Sequence, residues 1–202
     1  MSTKTCEMQL YFKTMFWTER LTQIVAMSGD QDVYYLLSNN RSLPMEIVHA
    51  QPNKPWSWYK LSRNSNVTMS DVLAHSDKPW DWEWLSSNLN ITMSDVDANP
   101  DKPWYWFGLS HNRNMSMSDV DAHPDKPWDW TGLSSNPNIA ISDVDAHPDK
   151  QWCWCRLSRN SNITMSDVLA HPDKPWDLGW LTQTLPSQTS MRTQTNSGIG
   201  FG

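Results

Sequence analysis

Tryptophan stands at positions 56, 80, 104, 128, 152 and 176, a period of 24 residues without slippage. Each sits in one short motif, seen most plainly as Asp77-Lys78-Pro79-Trp80-Asp81-Trp82, and all but the last are followed two residues on by a second tryptophan. Self-similarity at a fixed period of roughly 20–50 residues is the mark of a stacked array, in which one unit cannot bury its apolar side alone. A single central core is thereby excluded, and the interfaces between neighbouring units must carry stability.

Of 14 tryptophans in 202 residues, 11 occupy these paired slots. They are therefore repeated core or surface elements. The net charge of -6 and pI of about 5.4 disfavour nucleic acid, whose binding needs a basic stripe. Cys6, Cys153 and Cys155 form no disulfide framework, and Cys153-Trp154-Cys155 has neither redox nor zinc spacing. Lys13, Thr14, Thr18, Glu19 and Arg20 interrupt the apolar residues near the N-terminus, so no signal peptide and no membrane span is expected. An intracellular, non-secreted protein follows as the expectation.

In chain order, residues 1–31 read as an N-terminal helix and cap, with Leu10, Trp17, Leu21 and Ile24 on one apolar face and Ser28-Gly29-Asp30 as its stop. Residues 32–181 form the array. A degenerate unit at 32–55, with Tyr34 in the slot of Trp58, precedes units at 56–79, 80–103, 104–127, 128–151 and 152–175 and a partial one at 176–181. Residues 182–202, rich in Thr, Gln, Ser and Gly, are expected to be disordered.

Within a unit, Thr92-Met93-Ser94-Asp95 fits a capping box, and Ile91 with Val96 has the spacing of a hydrophobic staple. The pattern recurs at Thr68, Ser116 and Thr164 and loses its hydroxyl at Ala140. A helix of about two turns is expected there, ended near Asn99 before Pro100. A second is expected from Pro103, as first helical residue, through Trp104, Trp106 and Leu109 to Ser110. Helices this short are marginal alone. Tryptophans two apart suit a strand better than a helix, so a β-containing, leucine-rich-repeat-like solenoid is the alternative to an all-α one. Leu61-Ser62-Arg63-Asn64 has the fragment such repeats use, but the slot two before that leucine, Tyr59, Glu83, Phe107, Thr131 and Cys155, is not consistently apolar. The expected class is an all-α solenoid of short helix-turn-helix units.

Ser, Asp and His recur together, as in Ser70-Asp71-Val72-Leu73-Ala74-His75, but catalysis needs one distinct constellation rather than the same residues in unit after unit. Capping explains Ser and Asp, and the histidines at 75, 123, 147 and 171 fall where a cation complements the helix dipole. Layers about 8–10 Å apart are too far for shared metal ligands. No catalytic residue, metal or cofactor is expected.

The unit, generalised as Asn-x-Asn-Ile-Thr-Met-Ser-Asp-Val-x-Ala-His-Pro-Asp-Lys-Pro-Trp-Asp-Trp-x-x-Leu-Ser-x, resembles tandem-repeat proteins of large DNA viruses of protists. The likeness covers about residues 32–181 and departs at Met69 and its equivalents, where tryptophan is more usual, and in the tail. It implies array proteins of the infected-cell cytoplasm or virion, with no activity to carry over.

Positions that vary between units, 59–60, 83–84, 107–108, 131–132 and 155–156 with 63, 87, 111, 135 and 159, mark the face free of packing duties. The candidate partner-facing residues are Tyr59, Lys60, Arg63, Glu83, Trp84, Phe107, His111, Thr131, Arg156 and Arg159. The expected function is a non-enzymatic scaffold for a protein partner. The alternative is a carbohydrate-binding array with exposed tryptophan rows, since indole faces stack on sugar rings as well as on protein.

Overall fold

The computed structural model describes residues 30–177 and Gly179. The expected N-terminal helix, all of the tail and half of the partial last unit lie outside the described residues. Twelve short helices and no strand are found among the described residues. The chain divides into two compact units, the first ending at Trp128 and the second beginning at Asp129. The first holds α1 (Asp30–Ser38), α2 (Met45–Ala50), α3 (Trp58–Leu61), α4 (Met69–Ala74), α5 (Trp82–Ser86), α6 (Met93–Ala98), α7 (Trp106–His111) and α8 (Met117–Ala122). The second holds α9 (Trp130–Leu133), α10 (Ile141–Ala146), α11 (Trp154–Leu157) and α12 (Met165–Ala170). Each is an all-α stack of short helix pairs, as the period predicts, and the leucine-rich-repeat alternative is set aside.

The helix that opens with Met or Ile is built by its cap. The Thr68 N–H donates to Asp71 Oδ2 at 2.7 Å and the Thr92 N–H to Asp95 Oδ2 at 2.9 Å, closing capping boxes. The staple partners Ile91 and Val96 are both buried. Ala140 keeps half of the device: its N–H donates to Asp143 Oδ2 at 2.8 Å, but it has no hydroxyl for the N–H of Asp143. Ala140→Thr is expected to stabilise the chain by about 1 kcal/mol. An unchanged or lower melting temperature by circular dichroism would refute that cap.

The second helix begins later than its proline suggests. α7 starts at Trp106 rather than Pro103, and Trp104 lies outside it. Lysine before proline is pushed to extended backbone, and the first tryptophan continues it, its N–H reaching only two residues back, as from Trp80 to the carbonyl of Lys78. The residue between the tryptophans is the N-cap. Asp81, with φ -93° and ψ 106°, accepts from the N–H groups of Glu83 and Trp84, and Asp129 caps α9 in the same way. The paired tryptophans therefore straddle a helix start, which removes the conflict between their spacing and a helix.

This geometry sends the two rings to different tasks. The first is buried and ties its repeat to the end of the preceding one, Trp104 Nε1 donating to the carbonyl of Asn99 at 2.9 Å. The second meets the first tryptophan of the next repeat edge-on. Trp82 and Trp104 have centroids 5.0 Å apart at 87°, and Trp130 and Trp152 5.0 Å apart at 80°. Tyr34 makes the same contact with Trp56.

Serine and asparagine do the rest. Ser86 Oγ donates to the carbonyl of Trp82 and accepts the N–H of Tyr105, so one hydroxyl ends a helix and holds the next repeat. Ser134 does likewise with Trp130 and Cys153. Asn112, fully buried, accepts the N–H of Asn114 and places its amide nitrogen 2.9 Å from the carbonyl of Asn88 and 3.1 Å from that of Ile91 in the preceding repeat. Asn160 repeats this toward Asn136 and Ile139 in the second unit. The leucines of the Trp-initiated helices are fully buried, 61, 85 and 109 in the first unit and 133 and 157 in the second.

Candidate interaction face

Chemistry that recurs identically in every repeat is absorbed by stacking. Two of the histidines that follow a Met-initiated helix show this. His123 Nδ1 lies 2.8 Å from the carbonyl of Asp119, and Nε2 lies 2.8 Å from Asp97 Oδ1 of the preceding repeat. His171 bridges Asp167 and Asp145 at 2.7 and 2.9 Å. Both partners only accept, so both contacts are satisfied together by the imidazolium alone. The Asp119 carbonyl, with Asp97 beside it, raises the His123 pKa against an opposing effect of burial, and Asp167 with Asp145 does the same for His171. His75 goes the other way: burial first, then His49, pushes it down.

A histidine whose folded pKa is raised adds stability that is complete below its unfolded value of about 6.5 and lost as pH rises through the folded one. His75, lowered, adds stability above about 6.5 that is lost as pH falls. Thermal melts of H123Q/H171Q should therefore lose less stability than the unaltered chain between about pH 6 and about pH 8. Parallel profiles would show that the two rings do not bridge repeats.

The tryptophan rings are also occupied. The first ring of each described pair is at most 9% exposed. The second is half-buried, or buried at Trp58, and a lysine from the next motif stands over several of them: Lys126 Nζ is 5.7 Å from the Trp106 ring centroid and Lys150 Nζ 5.5 Å from Trp130. The lysine of the motif is thus partly a cover for an indole face rather than only a solvated charge. Among the described residues no three His, Cys, Asp or Glu side chains gather as a metal site. No helix among them is long and apolar enough to cross a membrane.

The variable positions behave differently. On α3, Tyr59 is 55% exposed and Lys60 sets its ammonium 3.6 Å from the Tyr35 ring centroid. Arg63 lays its guanidinium 4.1 Å from the ring centroid of Trp84 on α5, where Glu83 is exposed. On α7, Phe107 is 49% exposed, and its ring centroid is 4.5 Å from His111. In the second unit Thr131 is half-buried, Arg156 is exposed and reaches Ser135 Oγ at 3.3 Å, and Arg159 pairs with Asp177 at 3.2 Å. The structure thus joins Arg63 to Trp84 and Phe107 to His111, while Arg159 is engaged within its own unit.

One slot needs correction. Positions 108 and 132 are buried glycines, not free surface. A Cβ on Gly108 would stand 2.8 Å from Ser87 Oγ and 3.2 Å from the carbonyl of Glu83, so glycine there permits close helix approach. Residues outside the expected set join the face: Tyr35 one period before Tyr59, and Arg41, Tyr105 and Leu89. Tyr35 was detectable as the Tyr59 slot of the degenerate first unit. Arg41, in a turn, carried no signal of its own.

Compared with models of known families, with curated proteins and with solved structures, the chain matches none.

Proposed function

We propose that this chain is a non-enzymatic repeat scaffold that holds a protein partner against the variable side chains of its tryptophan-initiated helices. One observation supports this reading above others. Residues used for stacking are the same in repeat after repeat, whereas the changing positions carry large solvent-facing side chains such as Tyr59, Phe107 and Arg156. Tyrosine, tryptophan and arginine are the residue types that anchor protein interfaces. Sugar stacking would call for open indole faces, and these rings are spent on one another and on lysines. The sequence resemblance and the sparse cysteines favour an intracellular setting, in infected-cell cytoplasm or virion.

The test is cross-linked capture with the full chain, its triple variant Y59S/F107S/R156S, and D149N as a surface control. Reciprocal capture with each recovered protein follows. The unaltered chain and D149N are expected to recover the same partner and the triple variant to lose it. Equal recovery by all three overturns the reading, and so does a catalytic turnover abolished by one substitution.

A further inference from the structure

We propose that a notch in the first unit, between the turns following α1, α3 and α5, binds an acidic peptide segment through Arg41 and Arg63. The proposal rests on the scaffold reading and names its partner's chemistry. Arg41, Arg63, Ser65, Trp84, Ser87 and Leu89 are among the residues that line it, around a volume of about 250 Å³. They come from three consecutive repeats, so the site exists only once those repeats are stacked.

Charge is the first argument. The chain is acidic overall, and its other cations are largely met at home: Lys78 lies 2.8 Å from Asp77, Lys126 and Lys150 each 3.2 Å from the preceding aspartate, and Arg159 3.2 Å from Asp177. Neither Arg41 nor Arg63 forms an ion pair or a side-chain hydrogen bond with any described residue. Arg63 Nε is moreover buried and without a partner. Two unbalanced guanidiniums at one concavity call for an anion, and a planar guanidinium pairs with a carboxylate through two parallel N–H donors.

Preorganisation is the second. Trp84 holds the plane of the Arg63 guanidinium by stacking 4.1 Å from its ring centroid, which lowers the entropy lost when an anion is bound. Trp84 and the 56% exposed Leu89 add an apolar wall suited to a side chain beside the carboxylate. The third argument excludes a long polyanion. One period on, Arg41 becomes Ser65 and then Leu89, and Arg63 becomes Ser87. Arginine returns in these slots only at Arg113 and Arg159, so the cations are interrupted, whereas nucleic acid needs a run of them along its backbone.

The probe is a fluorescein-labelled, C-terminally amidated peptide of alternating glutamate and leucine, titrated by anisotropy against the full chain. Its glutamine analogue, a phosphoserine peptide and a thymidine oligonucleotide complete the series. The glutamate peptide is expected to bind in a salt-sensitive manner and the glutamine analogue not. R63Q should weaken binding about ten-fold or more and K174Q, at an exposed lysine outside the notch and the variable face, should not. Arg41 is exposed, so R41E supplies a second loss that leaves the fold intact, checked by circular dichroism. The proposal is overturned if R41E and R63Q bind like the unaltered chain, if the glutamate peptide does not bind, or if the phosphopeptide or oligonucleotide binds more tightly. In the capture experiment, a partner lost by Y59S/F107S/R156S but kept by R41E overturns this notch and leaves the scaffold reading standing.

Discussion

Trp104→Ala is expected to destabilise the chain by about 3–5 kcal/mol, the usual cost of emptying a buried aromatic site. Trp104 is 8% exposed. Its ring receives the edge contact with Trp82, and its indole N–H satisfies the carbonyl of Asn99. Truncation thus removes an inter-repeat aromatic pair worth about 0.5–1.5 kcal/mol beyond area. It also removes one of the two donors to a carbonyl at a helix end, leaving the Lys102 N–H at 3.2 Å, and opens a cavity. In a stacked array each interface is shared only with its neighbours, so the loss should appear as earlier unfolding of the first unit. Trp104→Phe should recover much of the packing and none of the hydrogen bond, leaving a smaller deficit. Trp84→Ala provides the comparison, because that ring is half-buried and lies outside the paired slots. Urea titration followed by far-ultraviolet circular dichroism measures all three. A Trp104→Ala loss no larger than that of Trp84→Ala would refute the division of labour between ring positions.

Asn112→Leu is expected to cost about 2–5 kcal/mol although leucine has a similar size, since each buried group left unpaired costs about 1–3 kcal/mol. Asn112 is fully buried and serves both directions, accepting the Asn114 N–H in its own turn and donating to carbonyls of the preceding repeat. Leucine leaves both ends unsatisfied. Asn112→Asp keeps the acceptor but sets a buried carboxylate against carbonyl oxygens. It should therefore be the worse variant at neutral pH and recover on acidification, when the carboxyl becomes a donor. The two unfolding midpoints, measured at about pH 7 and about pH 4.5, distinguish these outcomes. An Asn112→Leu variant within about 0.5 kcal/mol of the parent would show the asparagine ladder to be incidental.

Both predictions fall on residues whose roles the linear pattern conceals. Asn112 and Ser86 read as turn residues, or as part of the Leu-x-x-Asn fragment of a different solenoid. Their partners in the adjoining repeat lie 19 to 26 positions away in the chain. A period shows that a residue recurs, not what it touches in the next layer. The start of α7 was misplaced for a related reason. Pro103 satisfies every local requirement of a first helical residue, yet burial of Trp104 holds the Pro-Trp segment extended and moves the cap to Tyr105. By contrast, the cap at Thr92 and the staple of Ile91 with Val96 depend on groups within a few residues, and these were readable directly.

The candidate face divides along the same line. That Tyr59, Glu83, Phe107 and Thr131 share a slot follows from counting, and so does their freedom to vary. Positions 108 and 132 vary as well, yet both hold buried glycines, and at Gly108 the variation records how closely two helices must approach. The meeting of Arg63 with Trp84 joins residues 21 apart, and Arg41 comes from one repeat earlier still.

The sequence by itself determined the 24-residue period and, through chemistry acting over one helical turn, the caps of the Met-initiated helices. It favoured the all-α class over a strand-containing one, and the structure settled that choice. The tertiary structure alone decided which way each tryptophan ring turns, which carbonyls the serines and asparagines reach, and where two arginines gather without a carboxylate. Those outcomes depend on the stacking of one repeat against the next, and so on distances that exist only once the chain is folded.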